Sequence, residues 1–295
     1  MTEIRRVGVV GGGLMGSGIA QVAAQGGYET IVRELDDGLC ARSRGMVEKS
    51  LAKAIEKGKI TTVERDDALA RLQFVTRLGE LGGCDLVIEA VVEQLDAKTA
   101  LWRELDALLP PDTIFATNTS SLSVGAQAAA TSRADRVVSL HFFNPVPAMK
   151  LVEVVRAVET SGATVDAVLE FARRIGKEPI VARDTPGFVV NLLLVPYMLD
   201  AIRALEHGVA SVHDIDAGMQ LGAGHPMGPL ALSDFVGLDT LVRVAEIMYD
   251  AYRERRHAPP PLLRRMVVAG LLGRKSGRGF YDYSGTTPVP NAVMG

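Results

Sequence analysis

In the stretch "HFFNPVPAMKLVEVV", residues 141 to 155, a histidine and a glutamate stand twelve positions apart, each among apolar neighbours. Imidazole is the side chain best suited to move a proton near neutral pH. A carboxylate on its far nitrogen fixes the tautomer and stabilises the imidazolium that forms. Glu153 needs such a partner, because a charge inside "KLVEVVR" costs several kcal/mol unless it is paired or hydrogen-bonded. His141 taken alone reads as a satisfied core imidazole. The nearby acid and the hydroxyl run "ATNTSSLS", which brings Ser120 to the end of the neighbouring strand, shift the reading to a general acid/base pair. Such a pair suits removal of an alcohol proton while a hydride departs from the same carbon, or the reverse. The other four histidines, His207, His213, His225 and His257, show no ligand spacing and no cysteine joins them, so no metal site is expected.

A hydride needs an acceptor, and the start of the chain offers a place for one. "VGVVGGGLMGSGIA" sets Gly11, Gly13 and Gly16, with Leu14 and Met15 between them, directly after a strand pattern and at the head of a helix pattern. Glycine is wanted there for a tight turn, for close approach of backbone to a diphosphate, and for helix-to-strand packing. Glu34 closes the next strand, where a ribose 2′-hydroxyl requires an acceptor. A carboxylate at that place repels a 2′-phosphate, which favours NAD over NADP; Arg33, immediately before it, is the one basic group on hand to offset that repulsion.

Positioning these groups falls to an alternation of short β-branched runs and longer helical stretches. The strands read "RRVGVVG", "YETIVRE", "LQFVT", "CDLVIEAV", "DTIFATN", "RVVSLHF" and "LVEVVRA". Near-continuous apolar strands separated by helices predict a parallel sheet covered on both faces, a Rossmann-type doubly wound α/β domain over residues 1–184. Ser120, His141 and Asn144, at strand ends, then converge on one cleft. After the break at "RDTPGF" the remainder, 185–295, reads as all-α. Its segments "GFVVNLLLVPYMLDAIRALEHG" and "PLALSDFVGLDTLVRVAEIMYDAYRE" are too apolar for helices with one wet face, which predicts burial against each other or against a second subunit, hence a homodimer.

The chain has 295 residues, 47% of them hydrophobic, and 32 basic against 35 acidic side chains leave a net charge of -3. Neither nucleic acid nor an anionic membrane is an expected partner; a small neutral or anionic metabolite fits. Two cysteines, Cys40 and Cys84, match no metal motif and no disulfide framework, and no apolar run reaches a spanning length. A soluble, cytoplasmic protein is expected.

Taken together, "GGGLMGSGIAQ", "DLVIEAVVEQLDAKTALWREL", "NTSSLS", "HFFNPVPAMKLVEVV", "TPGFVVN", "GAGHPMGPLALSDFVGLD" and "LGRKSGRGFYDY" resemble the L-3-hydroxyacyl-CoA dehydrogenase family, in particular its bacterial 3-hydroxybutyryl-CoA branch. The resemblance implies an acyl-CoA substrate and NAD, with His141 and Glu153 as the catalytic pair and Ser120 and Asn191 hydrogen-bonding the substrate's 3-oxygen or thioester region. It implies that Glu34, Ala90, Glu93, Lys98, Ser120, Asn144 and Lys275 line the NAD site, and that Lys53 and Lys57, four apart on one helical face, meet the CoA phosphates. From composition alone those two lysines are an ordinary solvated face. The family usually carries aspartate at the place of Glu34, and the loop "YRERRHAPPPLL" also departs from its pattern. A 3-hydroxyadipyl-CoA or an acyl-carrier-protein thioester remains an alternative substrate. A non-catalytic dinucleotide-binding relative is the more distant alternative, disfavoured because Ser120, His141, Glu153 and Asn191 are all present.

Overall fold

The structure, a computed structural model, describes residues 3–291. It divides into two compact units, residues 1–188 and 189–295.

The first unit is built on an eight-stranded sheet. Strands β1 (Arg6–Val10), β2 (Glu29–Arg33), β3 (Leu72–Val75), β4 (Leu86–Glu89), β5 (Ile114–Thr117), β6 (Val137–Phe142), β7 (Leu151–Arg156) and β8 (Glu178–Arg183) lie in the order β3-β2-β1-β4-β5-β6-β7-β8. Helices α1 (Leu14–Gln25), α2 (Asp37–Glu56), α3 (Thr62–Ala70), α4 (Leu95–Leu108), α5 (Val124–Ala128) and α6 (Gly162–Arg174) connect them. Neighbouring side chains along each strand go to opposite faces, so Val9 and Ile88 join one core while Val10 and Val87 join another. Both faces are dry, which is why the strands read as continuous apolar runs.

Two features differ from the sequence expectation. β7 runs antiparallel to β6, although every other pairing in this sheet is parallel. The connection over residues 143–150 is too short for a crossover, which takes about a dozen residues or more, so the chain can only turn back. The eighth strand, "EPIVAR", was absent from the strand series. It is an edge strand with a proline near its start and charges at both ends, and most of it is exposed, so it lacks the apolar signature of its neighbours.

The second unit holds α7 (Val190–Glu206), α8 (Val212–Ala223), α9 (Pro229–Val236), α10 (Leu238–Tyr252), α11 (Pro261–Val268) and a two-strand ribbon of β9 (Tyr281–Asp282) and β10 (Val289–Pro290). Its own core gathers Leu199, Ile202, Leu230, Leu241, Met248 and Phe280. Two fully buried carboxylates organise it. Asp216 caps α9 by accepting from the amides of Leu230 and Ala231 at 2.8 and 2.9 Å. Asp234 accepts from the amides of Phe280 and Tyr281 at 3.0 and 2.9 Å, which pins the "GFYDY" segment. Among the described residues no helix is long and apolar enough to cross a membrane. Cys40 and Cys84 are both free and buried, and burial pushes the Cys84 thiol up to about 12.

Candidate active site

The antiparallel pairing of β6 with β7 puts His141 directly opposite Glu153 in the ladder, so both side chains leave the same face of the sheet. The carboxylate Oε2 lies 2.6 Å from Nδ1 of the ring. Glu153 is fully buried and His141 is 6% exposed, so the contact is made away from water. The Nδ1 proton faces Glu153, which leaves Nε2 as the nitrogen able to accept, and among the described residues no hydrogen bond engages it. Phe143 and Phe188 flank the ring, with centroids 4.5 and 5.6 Å away.

Ser120 sits in the irregular segment after β5, half-buried, with its amide donating to Glu93 Oε1 at 3.0 Å. The Thr119 hydroxyl donates to the same oxygen. Behind them Lys98, 1% exposed, lies 2.6 Å from Glu89 Oε1 and 3.1 Å from Glu93 Oε2. The end of β6 is tied to this segment because the Phe142 amide donates to Asn118 Oδ1 at 3.0 Å.

The glycine turn has the form that a dinucleotide requires. Gly11 sits at φ +89, where a side chain is strained, and its amide donates to the Arg33 carbonyl at 3.0 Å. A Cβ on Gly16 would stand 1.7 Å from the Gly11 carbonyl oxygen, so only glycine lets the helix start this close to the turn. Gly13, the residue before α1, carries no side-chain cap, and a Cβ built on it meets nothing within 4 Å. The first-turn amides of α1 therefore have no acceptor from a cap side chain, which leaves them for a diphosphate. Glu34 Oε1 accepts from the Gly12 amide at 2.6 Å, which holds the carboxylate beside the turn. Arg33 Nε donates to the Thr76 carbonyl at 3.1 Å, so its side chain is anchored and does not pair with Glu34. Ala90 packs its carbonyl against Gly11, and Leu14 and Met15 are exposed and half-buried respectively at the helix head. These residues fit NAD.

A cavity of about 120 Å³ lies between α1, α2 and the turn after β6, lined in part by Leu14, Ser17, Met46, Ser50, Asn144 and Pro147. Lys177 fixes that turn, donating from its buried ammonium to the carbonyls of Val146 and Met149 at 2.5 and 2.8 Å; burial lowers its pKa. Lys53 and Lys57 are exposed at the C-terminal end of α2 and make no ion pair among the described residues. Asn191 and Lys275 belong to the second unit. Asn191 is half-buried in the first turn of α7, and Lys275 pairs with Asp239 at the head of α10.

Glu89, Thr117, Lys177 and Ser50 were not singled out by the sequence. For Glu89 a signal existed, since an acid in "CDLVIEAV" invites the same question as the acid in "KLVEVVR". Lys177 and Ser50 carry none, because a lone lysine or serine in a helical or loop segment is ordinary.

The profile of the 3-hydroxyacyl-CoA dehydrogenase NAD-binding domain matches residues 6–185, and that of the C-terminal domain of the same family matches residues 187–283. The chain belongs to the 3-hydroxyacyl-CoA dehydrogenase family. It is 51% identical to a 3-hydroxybutyryl-CoA dehydrogenase of Mycobacterium tuberculosis over 282 residues, 95% of this chain and 99% of the relative. It is 43% identical to the human mitochondrial hydroxyacyl-coenzyme A dehydrogenase, covering 95% of this chain and 91% of that one. The crystal structure of (S)-3-hydroxybutyryl-CoA dehydrogenase from Ralstonia eutropha superposes with a TM-score of 0.93 at 44% identity, covering 96% of this chain and 100% of that one. As a member of this family the chain is an NAD-dependent oxidoreductase acting on a CH–OH group.

Proposed function

We propose that this enzyme interconverts a short-chain (S)-3-hydroxyacyl-CoA, of which 3-hydroxybutyryl-CoA is the type, and the 3-oxoacyl-CoA. The buried contact of 2.6 Å between His141 Nδ1 and Glu153 Oε2 is the observation that carries the mechanism. NAD, when bound, supplies the hydride acceptor. His141 takes the proton of the 3-hydroxyl on Nε2, and Glu153 holds the ring in the tautomer that leaves Nε2 open and balances the charge of the imidazolium. In the reverse direction the imidazolium returns the proton. Ser120 and Asn191 hold the 3-oxygen or the thioester and so orient the reacting carbon.

In this reading residues 1–184 bind NAD through Gly11, Gly13, Leu14, Met15, Gly16, Glu34, Ala90, Glu93, Lys98, Ser120 and Asn144, joined by Lys275 of the second unit. Residues 185–295 contribute to substrate binding and dimerisation. Lys53 and Lys57 meet the CoA phosphates, a role supported by their exposure and their lack of an acidic partner among the described residues. The homodimer is supported by apolar side chains left exposed on the helices, Leu193 at 65%, Leu221 at 89% and Val268 at 89%. Light scattering on the purified protein tests it. The cytoplasm is the proposed location.

A panel of 3-hydroxyacyl-CoA substrates of graded length, with 3-hydroxyadipyl-CoA and one carrier-protein thioester, assayed with NAD and NADP in parallel, tests the substrate. The highest kcat/KM on the four-carbon CoA ester supports the reading. A preference for the carrier protein or for the adipyl ester overturns its substrate half and leaves the chemistry in place.

A further inference from the structure

β4 ends on Glu89, whose carboxylate is fully buried yet faces no reacting group assigned above. Its acceptor positions are filled by Lys98 Nζ at 2.6 Å, the Thr117 hydroxyl at 2.7 Å and the Val91 amide at 2.7 Å. Those three donors come from the head of α4, the end of β5 and the segment leaving β4. Lys98 passes the link on to Glu93 Oε2 at 3.1 Å, and the other oxygen of Glu93 holds the Ser120 amide at 3.0 Å and the Thr119 hydroxyl. One ammonium is thus shared by a fully buried carboxylate, Glu89, and a half-buried one, Glu93. The sharing has a consequence for Glu93: because Glu89 supplies part of the counter-charge, Glu93 is free to turn its second oxygen to the backbone of the Ser120 segment. If Glu89 is neutral, Lys98 must draw its whole counter-charge from Glu93, and the Ser120 amide loses its acceptor.

We propose that Glu89 is a positioning residue, which through Lys98 and Glu93 fixes the backbone at residues 117–120 and with it the Ser120 hydroxyl. The proposal rests on the reading of Ser120 as a substrate contact.

The test is amide hydrogen exchange of the free enzyme, comparing wild type with Glu89→Gln, alongside steady-state kinetics. Exchange in the peptide spanning 117–122 is expected to quicken by about tenfold, the scale of one lost hydrogen bond to a charged acceptor, while peptides from the edge strands β3 and β8 stay as they were. kcat should fall by a similar, roughly tenfold factor. Adding Lys98→Met to Glu89→Gln removes the competing claim on Glu93 and should restore protection at 117–122. If Glu89→Gln does not fold, Glu89→Asp, which keeps the charge but draws the carboxylate back by one methylene from Lys98 and Thr117, is expected to quicken the same peptide by about threefold. Unchanged exchange at 117–122, or an equal rise throughout the unit, overturns the proposal. Ser120→Ala separates the two readings: if it keeps full activity the role of Ser120 is wrong, and the exchange result still decides what Glu89 does.

Discussion

His141 with Glu153, and Lys98 with Glu89 and Glu93, are two charged assemblies buried at the ends of strands in one sheet, and they are built to opposite purposes. In the lysine cluster both acids accept from the one ammonium, and their other donors come from the segment leaving β4, the end of β5 and the segment after it. Every member there is held by another. In the histidine pair one ring nitrogen is committed to Glu153 and the other is uncommitted among the described residues, and imidazole is the group whose charge changes close to neutrality. Burial of charge is therefore no mark of catalysis by itself. What separates the two is the acid's partner: an imidazole with one nitrogen uncommitted in one, an ammonium held between two carboxylates in the other.

The sharpest break in the comparison comes from removing the titratable member. His141→Gln should lower turnover by about 10²- to 10⁴-fold while NAD affinity, measured by titration calorimetry, stays within about twofold of wild type. Retention of more than about half of the turnover contradicts the role given to His141. Removing only the orienting charge is milder. Glu153→Gln keeps the shape and should cost about tenfold or more in kcat with cooperative unfolding largely retained.

The cofactor turn lies outside both assemblies and should affect selectivity rather than turnover. Glu34→Ala is expected to narrow the NAD to NADP ratio of kcat/KM by roughly tenfold, since a carboxylate beside the Gly12 amide repels a 2′-phosphate and Arg33 is anchored at Thr76. An unaltered ratio moves the discrimination elsewhere.

The smallest effect belongs to a third assembly of the lysine-cluster kind, in which Arg133 Nε lies 2.7 Å from Asp106 Oδ1. Burial pushes Asp106 upward, but hydrogen bonds from the Ser132 amide and the Arg133 guanidinium outweigh it, and the carboxyl ends below its ordinary range. A carboxyl lowered in the folded state contributes stability above its unfolded pKa of about 3.9, and that contribution is lost as pH falls through the folded value. Asp106→Asn should lower Tm at pH 7 by roughly 2–4 °C, with the gap to wild type closing on acidification below about pH 4.

The histidine pair was legible because an acid stranded in "KLVEVVR" demands a partner and "HFFNP" offers one. Their registration was less so: apolar strands separated by helices predict a parallel sheet, although the short run from Phe143 to Lys150 rules out a crossover there. Gly11 and Gly16 were legible because φ and sterics leave glycine no substitute there, and Glu34 because an acid closing the next strand stands where a ribose 2′-hydroxyl requires an acceptor. Glu89 escaped although the acid in "CDLVIEAV" asks for a partner, because its partners, Lys98 and Thr117, stand in other segments and are residue types that mark no site by themselves. β8 escaped because an edge strand needs only one dry side and "EPIVAR" has the composition of a loop.

The central claim, that Glu153 acts through His141, is tested most directly by kcat for Glu153→Gln measured in the His141→Gln background. If the two work as one unit the second substitution costs less than about twofold there, although it costs about tenfold in the wild-type background. A full further tenfold loss in the double variant would show that Glu153 contributes independently of the histidine, and the pair as described would be wrong.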